Sequence, residues 1–462
     1  MQDLNSAMAK AVTARESIRK WDRSQIISLL ETIAEKLDGA ASELIPLAMN
    51  ETNLTEVRLT GEVGRMSGQW RHMAAVLKKG DYLGTVIDSA DSTLQPPRPE
   101  LRKTTVPLGV VGIFGASNFP FAFGVGGCDT ASAIAAGCPV IIKAHPGHLE
   151  TSRKVFQIMA AAAQSVNAPD GLFNMVEAFE AGIEFVKHKD VSAVAFTGST
   201  LGGRALFDIA QSRKDPIPFY GELGGLNPIF VTEEAANRNG SVIAQGFLDS
   251  VNLGAGQFCT KPGYLILVNG SKMREEIVNL VPTVVTHAML NEKIREAHAR
   301  NRSTYAGLPF VKLLAQGVAT SDAIEPITIF EISGADLLAN QEVTLKEVFG
   351  PTAVVVNCAS NEEALKVANS FHGTLASGIH GEVNDRIISM GLLDILVRIS
   401  GRIIWNSWPT GVAVTWAMHH GGPYPASTNS LFTSVGADSI KRFRRPVVFQ
   451  NMPTELLPTE LK

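Results

Sequence analysis

Two stretches near the N-terminus place apolar residues at the spacing of an amphipathic helix. In the first, Met8, Val12 and Ile18 begin a series that continues close to a period of 3.6 residues. We therefore predict helix over residues 3–38, and a second amphipathic helix over residues 62–79.

From Val106 the chain alternates short β-branched runs with helical stretches. The predicted strands are VPLGVVGIFG, CPVIIKA, FNMVEA, VSAVAFTG and NPIFV, then YLILV, TAVVV and IIWN. The predicted helices cover residues 121–136, 149–165, 180–187, a segment from about 201, 241–253, 272–280 and 361–369. Alternation at this spacing indicates mostly parallel sheets covered on both faces, so the predicted class is α/β with two units in tandem.

The segment 80–107 departs from this pattern. It contains three prolines, at positions 96, 97 and 99, which exclude helix and suit extended or edge chain. We interpret it as an excursion from the first unit. The tail FRRPVVFQN has the composition of a strand that can pair with another edge.

Composition then limits the classes of function. A chain of 462 residues is too long for one core, and two or three domains are expected. The formal charge of −4 gives no basic face for nucleic acid, and no apolar stretch approaches the ~20 residues of a membrane span. Four cysteines without CxxC spacing indicate neither a disulfide framework nor a structural zinc site, so a reducing cytoplasm is the expected location.

Cys259, in GQFCTKPG, is a candidate nucleophile. It follows a predicted helix end, and Gly254 and Gly256 would let backbone approach a ligand closely. A reactive thiol must be partly exposed and ionised, whereas most free cysteines are small buried hydrophobes, so the local sequence leaves both readings open. The remaining cysteines, at 128, 138 and 358, lie in apolar or helical contexts and are interpreted as buried.

Two polar side chains occupy strand ends where ligands bind in parallel sheets. Glu222, in FYGELGG, stands between glycines and can serve as a general base or be a solvated turn carboxylate. Asn118, in FGASNFPF, follows a predicted strand and can donate to an oxyanion or cap a helix.

A third region has the features of a phosphate site. Gly198 to Gly203, in FTGSTLGGR, opens a helix whose free N–H groups and dipole favour a pyrophosphate, although the loop is not GxGxxG. Lys143 ends the strand PVIIK and can reach a sugar hydroxyl, or can simply be solvated.

These segments, in this order, resemble the aldehyde dehydrogenase superfamily over essentially the whole chain. The matching segments are SNFP, PVIIKAHPGHLETS, FTGSTLGG, ELGGLNP, GQFCTKPG and KEVFGP. The longer stretches around SNFPFAFGVGGCDT and WPTGVAVTWAMHHGGPYPAST resemble a narrower branch. That branch holds the 2-oxoglutarate semialdehyde (2,5-dioxopentanoate) dehydrogenases and a bacterial NADP-dependent fatty aldehyde dehydrogenase.

The resemblance implies a role for each motif residue. Cys259 would attack the aldehyde, Asn118 and the Cys259 N–H would hold the oxyanion, and Glu222 would activate water to hydrolyse the thioester. Lys143 would bind the adenosine ribose and Ser199, flanked by Gly198 and Gly203, the pyrophosphate. Glu347 would hold the nicotinamide ribose, with Phe349 against the nicotinamide.

One departure from the family bears on the cofactor. Many members carry Glu three residues after the ribose-binding Lys, where this chain has Pro146. Without that carboxylate nothing there repels a 2′-phosphate, so NADP is expected to be preferred over NAD. His145 and His148 are nearby candidates for the phosphate. Two other departures are Ser117 before the Asn, which the narrower branch shares, and a short N-terminus.

The substrate is inferred from helix 62–79. Alignment with the family places Arg65 on the wall of the substrate tunnel, where it would bind a carboxylate distal to the aldehyde, as in 2-oxoglutarate semialdehyde. The alternative for Arg65 is a solvated helix position. The rival substrates are medium or long aliphatic aldehydes, for which Phe119, Phe258 and Trp408 would line an apolar tunnel.

A non-catalytic protein and a metal site are the two alternatives to cysteine-based catalysis. The fold can persist as a non-catalytic structural or binding protein, but Cys259, Glu222 and Asn118 together argue against it. A metal site is not expected, because His419 and His420 are adjacent and no carboxylate is spaced to join them.

The resemblance also implies the architecture, two Rossmann-type α/β domains with a small β oligomerisation arm. The NAD(P)-binding domain would span residues 1–88 and 108–228, and the catalytic domain 229–430. Residues 89–107 and 431–462 would form the arm, whose exposed edges favour a homodimer or homotetramer.

Overall fold

The computed structural model describes residues 3–321 and 323–462. Its α-helices are α1 (Leu4–Ile18), α2 (Arg23–Gly39), α3 (Ala41–Thr52), α4 (Glu56–Lys79), α5 (Cys128–Ala135), α6 (Leu149–Ser165), α7 (Phe179–Lys187), α8 (Thr200–Gln211), α9 (Glu233–Asn252), α10 (Ser271–Leu280), α11 (Glu292–Ala306), α12 (Gly334–Ala339), α13 (Gln341–Thr344), α14 (Asn361–Ser370) and α15 (Arg386–Ile399). Its strands are β1 (Val86–Asp88), β2 (Leu101–Pro107), β3 (Val110–Phe114), β4 (Val140–Lys143), β5 (Phe173–Val176), β6 (Val191–Thr197), β7 (Phe219–Glu222), β8 (Pro228–Val231), β9 (Tyr264–Val268), β10 (Lys312–Gln316), β11 (Thr328–Ser333), β12 (Thr352–Cys358), β13 (Thr374–His380), β14 (Ser400–Trp405) and β15 (Arg444–Gln450).

The first sheet is parallel, in the order β5-β4-β3-β6-β7. Its short β-branched strands are buried because helices cover both faces: α2 to α6 pack on one side, and α1, α7 and α8 on the other. The strand–helix alternation predicted from the sequence is therefore confirmed in this half of the chain.

The second sheet has the order β10-β11-β12-β9-β8-β13-β14, and only the edge strand β10 runs antiparallel in the paired register. Helices α9 and α10 cover one face, and α12, α14 and α15 cover the other. The sequence did not predict β13, because TLASGIH is rich in Ala, Ser and Gly, which are poor strand formers. Its burial between β8 and β14 places it in the sheet.

The third sheet joins segments more than 300 residues apart. Strands β1, β2 and β15 form an antiparallel ribbon in which Gln450 pairs with Leu101 and Arg444 with Pro107. The predicted excursion and tail therefore meet. Residues just before β15 do not join the ribbon, since Ile440 and Phe443 are buried in the core of the first sheet's domain. The domain limits remain a prediction, and residues 1 and 2 lie outside the described chain.

The helix predicted over 3–38 is two helices, and the reason is a cap. The Asp22 side chain accepts from the Gln25 N–H at 2.9 Å, and the Gln25 side chain accepts from the Asp22 N–H at 2.9 Å. This capping box starts α2 afresh. The apolar period continues across the break because both helices bury their apolar faces.

Three other helix boundaries also differ. Helix α9 begins at Glu233 rather than 241. Helix α4 begins at Glu56 rather than 62, with Thr55 as its N-cap. Helix α5 begins at Cys128 rather than 121, because residues 119–127 form tight turns: a Cβ on Gly124 would lie 1.9 Å from the Pro120 carbonyl oxygen. In the described part of the chain, no helix has the length and apolar character required to cross a bilayer.

Candidate active site

The carboxyl ends of the first sheet gather four of the residues singled out in the sequence. Asn118 follows β3, Lys143 ends β4, Ser199 follows β6 and Glu222 ends β7. Because these strands are parallel neighbours, their ends open on one edge of the sheet, where ligands bind in open α/β folds.

Cys259 lies on a loop between α9 and β9 that is fixed by Asn227. The Asn227 Nδ2 donates to the carbonyl oxygens of Cys259 at 2.8 Å and Lys261 at 2.9 Å. Its Oδ1 accepts from the Ala376 N–H and the Thr374 hydroxyl, so the loop is tied to β13. The sequence analysis did not select Asn227, because an Asn before Pro is typical of an ordinary turn.

The thiol of Cys259 faces a buried histidine and carboxylate. Its Sγ lies 3.7 Å from the Nε2 of His420, which lies 2.9 Å from the Oε1 of Glu222. The Ser434 hydroxyl donates to the other Glu222 oxygen at 2.7 Å. Glu222 and His420 are buried, whereas Cys259 is partly exposed and accessible to a substrate.

His420 is a functional candidate that sequence reasoning assigned to no role. Its contact with Cys259 spans 161 positions, and no local motif signals it. The sequence argument against a metal assumed that no carboxylate lies beside His420, and that premise is wrong. The donor atoms of Glu222, Cys259 and His420 lie within 4.8 Å of one another.

The titration of the site follows from burial and charge. Burial raises the pKa of the Cys259 thiol well above its usual value, and the Glu222 carboxylate raises it further. Burial alone would also raise the pKa of Glu222, but the charge and hydrogen bond of His420, with the hydrogen bond from Ser434, bring it below its usual value. At neutral pH the free protein therefore holds a protonated thiol beside an ionised carboxylate.

The amide of Asn118 is anchored next to the thiol. Its Nδ2 donates to the Gln257 carbonyl at 3.0 Å, two residues before Cys259. Arg58 on α4 donates to the Asn118 carbonyl at 2.9 Å. Glu62, one turn on, accepts from the N–H groups of Phe121 and Ala122 at 2.9 and 3.1 Å. One helix turn thus fixes the loop that presents the amide.

The residues predicted to bind a dinucleotide fit that ligand. Ser199 caps α8, accepting from the Gly202 N–H at 3.3 Å, so the helix N-terminus stays open to a phosphate. The neighbouring glycines permit close packing: a Cβ on Gly198 would lie 2.8 Å from the Phe196 ring, and one on Gly203 2.1 Å from Leu223.

Lys143 and the residues after it are those expected near the adenosine ribose. Lys143 is largely buried, and its Nζ donates to the Ala144 carbonyl at 2.8 Å. Pro146 starts a short 3₁₀ turn after His145. Burial lowers the pKa of His145 to about 3, so this imidazole is neutral and offers a phosphate no charge. His148 is buried against the Ala116 carbonyl at 2.8 Å.

Glu347 and Phe349, the residues expected near the nicotinamide, lie in the segment before β12. The Glu347 carboxylate lies against the backbone of Gly224, where a Cβ would approach its Oε2 to 2.8 Å. Gly224 has a φ of +100°, so the backbone conformation and the neighbouring carboxylate both favour glycine. Phe349 is partly buried in the same segment.

Arg65 is the most conspicuous side chain on the substrate side. Its guanidinium lies 5.5 Å from the centre of the Phe119 ring and 5.2 Å from that of Phe123. Its Nε and Nη2 are buried without a hydrogen-bond partner. A buried, unpaired cationic donor is costly, and a ligand that accepts its hydrogen bonds would relieve that cost.

The predicted aromatic wall is assembled only in part. Phe119 and Phe258 pack edge to face at 5.1 Å, with Arg58 over both rings at 4.5 and 4.6 Å. Trp408 lies elsewhere, against His380 at 4.6 Å and the core of the second sheet. The other three cysteines are buried and free.

Comparison with known proteins found a matching family model, similar curated enzymes and similar solved structures. The family model described as "Aldehyde dehydrogenase family" matches residues 1–302 and 312–443. Alpha-ketoglutaric semialdehyde dehydrogenase 2 of Azospirillum brasilense is 40% identical over 100% of this chain and 89% of its own length. Alpha-ketoglutaric semialdehyde dehydrogenase of Acinetobacter baylyi is 37% identical over the same shares. The crystal structure of PnpE in complex with nicotinamide adenine dinucleotide superposes with a TM-score of 0.82 at 22% identity, covering 97% of this chain and 89% of PnpE.

Proposed function

Because the chain belongs to the aldehyde dehydrogenase family, we propose that it oxidises 2-oxoglutarate semialdehyde to 2-oxoglutarate at Cys259. The hydride acceptor is NADP or NAD, with NADP preferred. The observation that carries the substrate assignment is that the Nε and Nη2 of Arg65 are buried without a hydrogen-bond partner.

The first step is formation of a thiolate. The Cys259 thiol is protonated at neutral pH, and the ionised Glu222 carboxylate, with an oxygen within 4.8 Å of the sulfur, takes its proton as the sulfur attacks the aldehyde carbon. The Nε2 of His420 lies 2.9 Å from that carboxylate and holds it beside the sulfur. The Asn118 amide and the Cys259 N–H stabilise the oxyanion, a term worth ~10²–10³ in rate for each donor.

Oxidation and release follow from the same residues. The bound dinucleotide supplies the hydride acceptor. Collapse of the oxyanion leaves the acyl group on Cys259 as a thioester. Glu222 releases the thiol proton to solvent and then takes a proton from the water that attacks the thioester. The thiolate is expelled and takes up a proton again, the acid leaves, and one proton is released in the whole reaction.

A carboxylate on the substrate would give Arg65 the hydrogen-bond partner that it lacks. An Arg guanidinium binds carboxylate in a bidentate fork, and the unpaired Nε and Nη2 of Arg65 are two adjacent donors of that fork. The two curated relatives named above, at 40% and 37% identity, are dehydrogenases of this oxo-acid aldehyde, which supports the same substrate here.

Two alternatives are kept as outcomes of the test. The edge-to-face pair of Phe119 and Phe258 would suit a medium or long aliphatic aldehyde. A non-catalytic role is disfavoured by the meeting of Cys259, His420 and Glu222 within 4.8 Å.

Replacement of Arg65 by Ala tests the substrate. The variant should raise KM for 2-oxoglutarate semialdehyde at least tenfold, because a buried charged hydrogen bond is lost, and leave KM for a neutral aldehyde of equal length within about twofold. Arg65→Lys should fall between. Assays with both cofactors should give a higher kcat/KM for NADP.

Equal losses on both aldehydes would contradict carboxylate binding by Arg65. Higher kcat/KM for long aliphatic aldehydes would favour the rival substrate class, and NAD turned over as efficiently as NADP would contradict the cofactor preference.

We further propose that the protein is a homodimer or a dimer of dimers. Helix α15 and the turn before it expose an apolar stripe, with Val383 92% and Ile387 90% exposed, and Met390 and Val397 more than half exposed. Strands β14 and β15 are edge strands of their sheets. An apolar stripe beside open edges favours pairing with a second copy.

A further inference from the structure

Lys261 is a buried cation two positions after Cys259. Its Nζ donates to the Val348 carbonyl at 2.9 Å and to the Thr352 carbonyl. Val348 lies between Glu347 and Phe349 in the segment 346–352, and Thr352 is the last residue of that segment. We name that segment the cofactor loop and residues 253–263 the nucleophile loop. A single side chain thus crosses from one loop to two points on the other.

The two loops also meet through backbone. Gly256 has a φ of +68°, and a Cβ there would lie 2.1 Å from the Gly350 carbonyl oxygen. On its other side the nucleophile loop is fixed by Asn227, which donates to the Lys261 carbonyl at 2.9 Å. The backbone of Lys261 is therefore held in place while its side chain holds the cofactor loop.

The charge of Lys261 has a partner on that loop. Burial raises the pKa of Glu347 to about 7, and the positive charge of Lys261 opposes the rise. Burial lowers the pKa of Lys261 to about 8, with Glu347 opposing that change. Cys259 and Tyr264 also interact with Glu347, but burial raises the pKa of both above the usual values, and they stay neutral. Among these three neighbours, Lys261 is the one that carries charge at neutral pH.

We propose that Lys261 is a positioning residue for the dinucleotide: it clamps the cofactor loop to the nucleophile loop and keeps the Glu347 carboxylate placed and ionised to accept hydrogen bonds from the nicotinamide ribose. The inference rests on the proposed function, and it adds a residue that neither reacts with the aldehyde nor touches it.

The experiment separates cofactor binding from thiol chemistry. Cys259 and Glu222 should hydrolyse p-nitrophenyl acetate without any dinucleotide, because the ester acylates the thiol directly. Lys261→Met should weaken NADPH binding, measured by fluorescence titration without aldehyde, at least tenfold, since a buried charged hydrogen bond is lost. The esterase rate should change by less than threefold. Lys261→Arg should recover part of the affinity, and Lys312→Met, an exposed lysine on β10, is the matched control.

The pH dependence gives a readout that a purely structural role would not move. In the wild type, NADPH affinity should rise as the pH passes about 7 and Glu347 ionises. In Lys261→Met the loss of the positive charge should shift that step to higher pH. An unmoved step, unchanged affinity, or equal losses of esterase and binding would each overturn the proposal. A wild type without either dehydrogenase or esterase activity would instead refute the proposed function.

Discussion

At the scale of single residues, Cys259 and Glu222 hold opposite protonation states at neutral pH. The thiol is protonated because burial and the neighbouring carboxylate disfavour a second negative charge. The carboxylate is ionised because His420 and Ser434 stabilise its charge against burial. His420 lies between them, 3.7 Å from the sulfur and 2.9 Å from the Glu222 carboxylate, and holds that carboxylate in place.

This arrangement predicts a distinct effect for each of two substitutions. Glu222→Gln removes the negative charge and should lower the pKa of Cys259, so alkylation by iodoacetamide at pH 7 becomes faster while thioester hydrolysis becomes slower. His420→Gln removes the charge that lowers the pKa of Glu222, so that pKa should rise and turnover near pH 6 should become slower than in the wild type. The wild-type alkylation rate should keep rising from pH 6 to 9, since the thiolate forms only toward a high pKa.

Cys259→Ser is the control, since the other cysteines are buried and should not react. A wild-type alkylation rate that levels off below pH 8, or slower alkylation of Glu222→Gln, would contradict the electrostatic account.

What the sequence could predict at this scale depended on local signals. Cys259, Glu222 and Asn118 stand in glycine-rich or strand-end motifs, and the structure brings them to one edge of a sheet. His420 and Asn227 act through contacts with distant segments, and Arg58 lies before the predicted start of its helix. Such pairings across the chain have no signature in a single sequence.

At the scale of elements, most strands with β-branched runs, such as β9 and β12, were predicted, whereas β11, β13 and the start of α5 were not. Tertiary burial selects β13 despite its weak propensity, and backbone crowding at Gly124 delays α5. The start of helix α4 affects the site, because the helix begins at Glu56 and so includes Arg58. Arg58, Glu62 and Arg65 lie one turn apart on it and hold the Asn118 loop and the substrate side together.

Helix α8 offers a test at this scale. A Cβ on Gly203 would lie 2.1 Å from Leu223 and 2.9 Å from the Phe196 ring, both in the packed region beneath the predicted phosphate site. Gly203→Ala should lower stability by ~1–3 kcal/mol, the usual cost of overpacking, and weaken dinucleotide binding as the helix start is displaced. Thermal unfolding and NADPH titration measure the two effects.

Gly202→Ala is the matched control. A Cβ there meets Ser199 Oγ only at 3.3 Å, and alanine favours helix over glycine. If Gly203→Ala were as stable as Gly202→Ala, the close packing of α8 on β7 would be contradicted.

At the scale of the whole molecule, the predicted two α/β units and β arm are confirmed as an architecture, while the limits of the arm stay a prediction. In the C-terminal tail, β15 pairs with β2 and the Leu461 carbonyl accepts from Arg102, whereas the Ser439 hydroxyl lies 2.7 Å from that of Ser132 within the first domain. The sequence could not separate these parts, since both are short and mixed in composition.

The exposed stripe of α15 predicts the effect of a charge. Ile387→Glu should shift the protein toward monomer in sedimentation or light scattering, because a carboxylate would be buried in the contact between copies. Val242→Glu, at a 74% exposed position on α9, is the control and should leave the oligomer intact. A wild type that is monomeric at micromolar concentration would contradict the proposed pairing.

The return of the tail to the first domain has a consequence for biosynthesis. Ile440 and Phe443 complete a core begun by α2 to α6, and β15 completes a ribbon begun by β2. As the polypeptide emerges from the ribosome, the second domain can fold while the first still lacks its last pieces. The first domain should therefore mature only after residues 440–450 are translated, and a nascent chain halted near residue 430 would expose an unfinished, chaperone-dependent surface.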